Sequence, residues 1–71
     1  MAVFTFDDMV RVKTGAPTSL RPGARASVIM VFTSRERTGK YFEQFPIGTV
    51  YSVEFEDGAS MDIHESFLEK G

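Results

Sequence analysis

Thr49-Val50-Tyr51-Ser52-Val53-Glu54-Phe55-Glu56-Asp57-Gly58-Ala59-Ser60-Met61-Asp62-Ile63-His64-Glu65 holds two alternating runs on either side of an Asp-Gly pair. Alternation with a period of two is the mark of a half-buried strand, and Asp-Gly between two such runs is a hairpin signal. The register follows from the faces. A two-residue turn at Asp57 and Gly58 pairs Val53 with Asp62 and Glu54 with Met61, which mixes apolar and polar side chains on both faces. A three-residue turn of Glu56, Asp57 and Gly58 pairs Val53 with Met61 and Tyr51 with Ile63. Ser52 then meets Asp62, and Val50 meets His64, on the opposite face. Only this register separates the faces, and it puts Gly58 at the left-handed position of a G1 bulge.

Working outward, no window repeats apolar residues with helical period between caps. Met9 to Lys13 reads as a strand with Val10 and Val12 on one side. Thr14 to Gly23 holds two prolines and two glycines and reads as a long loop. Arg25 to Phe32 is the next strand. Strict alternation sends Ala26, Val28, Met30 and Phe32 to one side and Ile29 and Val31 to the other, so both sides are covered, by the barrel or by another subunit. Thr33 to Gly39 is a solvated loop tip. Lys40 to Gly48 is an aromatic-rich irregular connection with room for a short strand. Ser66-Phe67-Leu68 reads as one 3₁₀ turn that leads into a last strand at Leu68 to Lys70. Residues 1–71 are thus expected to form one all-β domain. Its architecture is a small SH3-like barrel of about five short antiparallel strands, with an OB-fold as the alternative.

Composition narrows the function classes. The chain has 71 residues, no cysteine and one histidine. Disulfides and thiolate metal sites are excluded, and no metal or other cofactor is expected. Asparagine is absent, so no N-glycosylation sequon exists. Eight basic and ten acidic residues give a net charge of −2, which argues against a nucleic-acid partner. Met1 to Asp8 has no basic region followed by an apolar stretch, and Ala26 to Phe32 is far short of a membrane span. A cytoplasmic protein is expected. So small a cysteine-free domain needs an idealised core, a metal or oligomerisation for stability; with a metal not expected, self-association is open, and a homo-oligomer, dimer or tetramer, is expected.

Two segments resemble a known family. Phe6-Asp7-Asp8-Met9-Val10-Arg11-Val12-Lys13-Thr14-Gly15-Ala16 is similar to the first strand of the type II dihydrofolate reductases, the small trimethoprim-resistance enzymes. Met61-Asp62-Ile63-His64, with Phe67-Leu68-Glu69 after it, resembles that family's pore strand and tail. The resemblance implies an SH3-like barrel, a mobile gene cassette as its setting, and four copies around one pore where folate and NADPH meet. Ile63 keeps the family's residue type. Asp62 stands where the family has glutamine, His64 where it has tyrosine, and Val12 where it has the pore lysine. Four Asp62 carboxylates in one pore repel each other and anionic ligands. The expected function is therefore a self-associating binding module of open ligand, with catalysis disfavoured but left open. A reductase that uses NADPH is the alternative, and a nucleic-acid-binding barrel the third reading.

The candidate ligand-binding residues are Ser52, Asp62, Ile63 and His64. Asp62 and His64 lie two apart on one strand face, so their side chains stand about 7 Å apart beside Ser52. That spacing suits a proton-transfer or ligand-binding pair, and equally the wet outer face of a hairpin. Tyr51 and Phe55 suit either a cation–π cage or the core, with the core favoured by the register. Glu54, Glu56 and Asp57 form an acidic tip of the kind that deters edge pairing. Arg35, Arg37 and Lys40 beside Tyr41 and Phe42 carry the nucleic-acid reading through charge and stacking. Gly39-Lys40 lacks the glycine spacing of a phosphate loop.

Overall fold

The computed structural model describes residues 3–71. The strands are β1 (Met9–Val12), β2 (Arg25–Phe32), β3 (Val50–Phe55), β4 (Ser60–His64) and β5 (Leu68–Lys70). All pairings are antiparallel, and the sheet order is β4-β3-β2-β1-β5. The early loop, the tight late hairpin and the 3₁₀ turn at Glu65–Phe67 are all present, as the small barrel requires. Two further 3₁₀ turns exist, at Thr18–Leu20 and Lys40–Gln44. The second occupies the connection that had room for a strand. The radius of gyration is 11.2 Å, the compactness expected for a chain of this length.

The hairpin has the segregating register: Val50 pairs with His64, Tyr51 with Ile63, Ser52 with Asp62 and Val53 with Met61. Phe55 N–H donates to the Ala59 carbonyl (2.8 Å) and Gly58 N–H to the Phe55 carbonyl (3.0 Å), which leaves three residues in the turn. Gly58 has φ +88°, a left-handed conformation that costs a glycine least.

The core sits on one face of the sheet. Val10, Val12, Val28, Tyr51, Val53 and Ile63 are fully buried there. Each such aliphatic side chain contributes about 1.5–3 kcal/mol by leaving water. Phe4 closes one end, with its ring edge-on to Tyr51 at 5.5 Å and 65°. The Tyr51 hydroxyl accepts from the Val3 and Phe4 N–H groups at 2.8 and 3.0 Å.

Strict alternation fails in β2. The register against β3 shifts between Val28 and Met30. Val28 opposes Val53, but Met30 opposes Ser52, Val31 opposes Tyr51 and Phe32 opposes Val50. Ile29 is the extra residue of a β-bulge, which inverts the facing of everything after it. Val31 therefore packs against the core, while Met30 and Phe32 lie on the outer face. Within the single chain the barrel does not cover both sides: Ile29 and Met30 are exposed.

Candidate functional site on the outer face

Cross-strand partners share a face, so the register lays out the outer face in rows. Glu69, Arg11 and Arg25 form the first row, and Met9, Ser27, Glu54 and Ser60 the second. Met30, Ser52 and Asp62 form the third, and Phe32, Val50 and His64 the fourth.

The fourth row is not wet. Val50 is fully buried and His64 is 6% exposed. The Lys40–Gln44 turn and the residues after it lie over them. The Phe32 and Phe42 rings are 4.9 Å apart, and Tyr41 packs edge-on to Phe42 (5.1 Å) and Phe45 (5.8 Å). Polar bonds seal this cover. His64 Nε2 lies 3.0 Å from the Ile47 carbonyl, which can only accept, so the ring proton sits on Nε2. His64 Nδ1 then accepts from the Ser66 N–H at 3.1 Å and caps the 3₁₀ turn, with Ser66 Oγ 2.8 Å away.

Asp62 is half-buried at the margin of the same cover. Its carboxylate accepts from Ser52 Oγ at 2.6 Å and from the Tyr41 hydroxyl. The Asp62 hydrogen bond and charge, with some burial, hold the Tyr41 phenol above its ordinary pKa. Among the described residues no hydrogen bond joins Asp62 to His64. The expected pair is thus two separate arrangements: a Tyr41–Asp62–Ser52 group at the surface and a His64 latch beneath. Ile63 belongs to neither, being fully buried on the core face.

Arg37 is the residue that the sequence pattern misassigned. Its guanidinium donates to four carbonyls: Pro46 (2.6 Å), Gly48 (2.7 Å), Phe42 (2.8 Å) and Phe45 (3.1 Å). A planar fork with five donors suits this use, and no lysine reproduces it. The basic patch is left with Arg35 and Lys40, because Arg37 is spent on organising the cover. Tyr41 on Asp62 and Arg37 on the carbonyls had one usable signal, the close spacing of Tyr41, Phe42 and Phe45. Nothing local marks the arginine.

The other candidates resolve into structure. Tyr51 and Phe55 are core residues, and the Arg21 guanidinium lies 4.8 Å over the Phe55 ring. Arg21 also grips the Asp57 carboxylate through both oxygens at 3.0 Å. Asp57 is the one member of the acidic tip with a cationic partner within 4 Å among the described residues. A concavity of about 680 Å³ lies elsewhere, between the residues before β1 and β5; Val3, Met9, Lys13, Leu68 and Lys70 line it. Among the described residues no cluster of three His, Asp or Glu side chains is placed to hold a metal ion. No buried side-chain nitrogen or oxygen among them lacks a hydrogen-bond partner. No helix among them is long and apolar enough to cross a membrane.

No protein-family model matches the chain, and no curated protein or solved structure matches it.

Proposed function

We propose that this chain is a small interaction module that self-associates, with its further ligand open. The observation that carries the reading is a group of large apolar side chains left in water on neighbouring strands. Phe6 is 66% exposed, Met30 52%, Met9 41% and Ile29 37%. Met9 pairs across to Ser27, and the Asp7 N–H donates to the Val28 carbonyl at 2.7 Å. The four residues therefore belong to one region of β1, β2 and the segment before β1. Apolar exposure concentrated in this way marks an interaction surface.

The chemistry of the outer face favours binding over catalysis. Asp62 is an acceptor already engaged by Ser52 and Tyr41, and His64 has both ring nitrogens occupied. The reductase-like reading asks Asp62 to replace an amide that both donates and accepts. A carboxylate offers no donor. The expected setting of the module is the cytoplasm.

Light scattering after size exclusion, over a concentration series, tests the reading. The expected mass is a multiple of the 7.9 kDa chain. A species of single-chain mass at every concentration overturns it.

A further inference from the structure

We infer that the free edge of β2, from Ile29 to Phe32, pairs antiparallel with the same edge of a second copy of this chain. The inference rests on the self-association proposed above and names the surface that carries it.

β2 has eight residues but unequal neighbours. On one side β3 accompanies it from Ala26 to Phe32. On the other, β1 reaches only Ser27, extended by the bonds of Val28 to Asp7 (2.7 Å) and Asp8 (2.9 Å). Beyond Val28, no main-chain hydrogen bond from another described residue reaches β2 on that side. The chain before Asp7 leaves the strand instead, and its Val3 and Phe4 N–H groups go to the Tyr51 hydroxyl. The sheet therefore has an unfilled slot beside its second strand.

This edge lacks the usual protections. Native edges are guarded by charges, proline, covering loops or bulges. Val28-Ile29-Met30-Val31-Phe32 has no charge and no proline. The bulge at Ile29 is its one such device, and Met30 to Phe32 lie beyond it. Ile29 and Met30 stand in solvent. A run of five β-prone apolar residues without charge is a strong template for strand pairing.

A second copy is the partner that fits. Antiparallel pairing about a two-fold axis sets a segment against itself, so one edge satisfies both sides of the contact. Apolar side chains then meet apolar side chains, with no like charges opposed inside the segment. A net charge of −2 per chain gives weak long-range repulsion between copies. Each chain adds main-chain hydrogen bonds and buries Ile29 and Met30, which its own fold leaves in water.

The test compares wild type, Ile29→Lys, Met30→Lys and Met9→Lys by light scattering, together with amide hydrogen exchange of the wild type at low and high concentration. Both β2 substitutions are at exposed positions and add the charge with which natural edges block pairing. The expected result is a wild-type dimer whose dissociation constant rises roughly tenfold or more in Ile29→Lys and Met30→Lys. Met9→Lys, on β1 in the same exposed group but off this edge, raises it less than either β2 substitution does. Exchange at residues 29–32 slows as concentration rises. If wild type associates, but the β2 variants associate equally well and residues 29–32 exchange at a concentration-independent rate, the edge is overturned and self-association stands. Equal loss in Met9→Lys without that slowing also overturns the edge, in favour of the outer face. A wild type that stays a single chain overturns both proposals.

Discussion

Arg37 and Gly48 are joined by a 2.7 Å hydrogen bond from the guanidinium to the carbonyl, eleven residues along the chain. Three further carbonyls share the same guanidinium. One side chain thus ties together four carbonyls of the cover over Val50 and His64, beside the bond from His64 to the Ile47 carbonyl. Hydrogen bonds from a charged donor contribute about 1.5–3 kcal/mol each, less when several share one group. Arg37→Ala is expected to lower stability by about 3 kcal/mol in urea unfolding, and Arg37→Lys to recover less than half of that. Full recovery by lysine would show that charge alone, without the planar fork, holds the segment.

Gly48 has φ +131°, and a Cβ there would stand 2.9 Å from His64 Nε2 and against the Glu65 carboxylate. That carboxylate accepts the Thr49 N–H at 2.8 Å. Gly48→Ala combines backbone strain with a steric conflict, and about 2–3 kcal/mol of destabilisation is expected in the same unfolding experiment. Gly58→Ala meets no such crowding, since nothing lies within 4 Å of its Cβ position, and the smaller loss expected there comes from φ alone.

Tyr41 titrates above the ordinary phenol value because of Asp62. The stabilisation linked to a raised group is complete below its unfolded pKa and is lost as pH rises through the folded one. Stability is therefore expected to fall on the alkaline side, above about pH 10. Asp62→Asn should bring the tyrosinate absorbance change of Tyr41 down toward the ordinary value. An unchanged titration would mean that the Tyr41–Asp62 bond does not persist in solution.

Asp57 behaves in the opposite sense. The Ala59 N–H first, and Arg21 second, hold its carboxyl below the ordinary value. Such a group stabilises above the unfolded pKa and loses that contribution as pH falls through the depressed folded value. Asp57→Asn is expected to flatten the acid limb of a stability–pH curve below about pH 4 and to leave the alkaline limb as it was.

The Ile63 side chain belongs to the core. Ile63→Val is expected to cost about 1 kcal/mol and Ile63→Ala about 3 kcal/mol. A stability unchanged by Ile63→Ala would show that this side chain does not support the core.

These cases show where one-dimensional reading reaches and where it stops. The hairpin was legible because Tyr51, Val53, Met61 and Ile63 must share a face and Gly58 must supply the bend; local pattern and turn chemistry agree there. In β2 the same logic failed at Ile29, because five successive apolar residues contain no phase and a bulge leaves no mark in them. The Ser52–Asp62 contact followed from register alone. The cover over His64 did not, because it rests on Arg37 reaching the carbonyls of a later segment, and side-chain to main-chain bonds of that kind carry no spacing rule. Polar residues on a strand face look wet until something distant in sequence is found lying over them.

The Tyr51 hydroxyl, which accepts from Val3 and Phe4, bears on the order of folding. Those bonds span 48 and 47 residues. The hairpin that presents Tyr51 closes a three-residue turn and forms on the timescale of local events, whereas the long loop to the Phe4 segment closes only after β2 has docked on β3. The docking of Val3 and Phe4 is accordingly a late step. Amide exchange of Val3 and Phe4 is therefore expected to be faster than that of the hairpin strands. Opening there would uncover the end of the core beside Tyr51 and leave the hairpin intact.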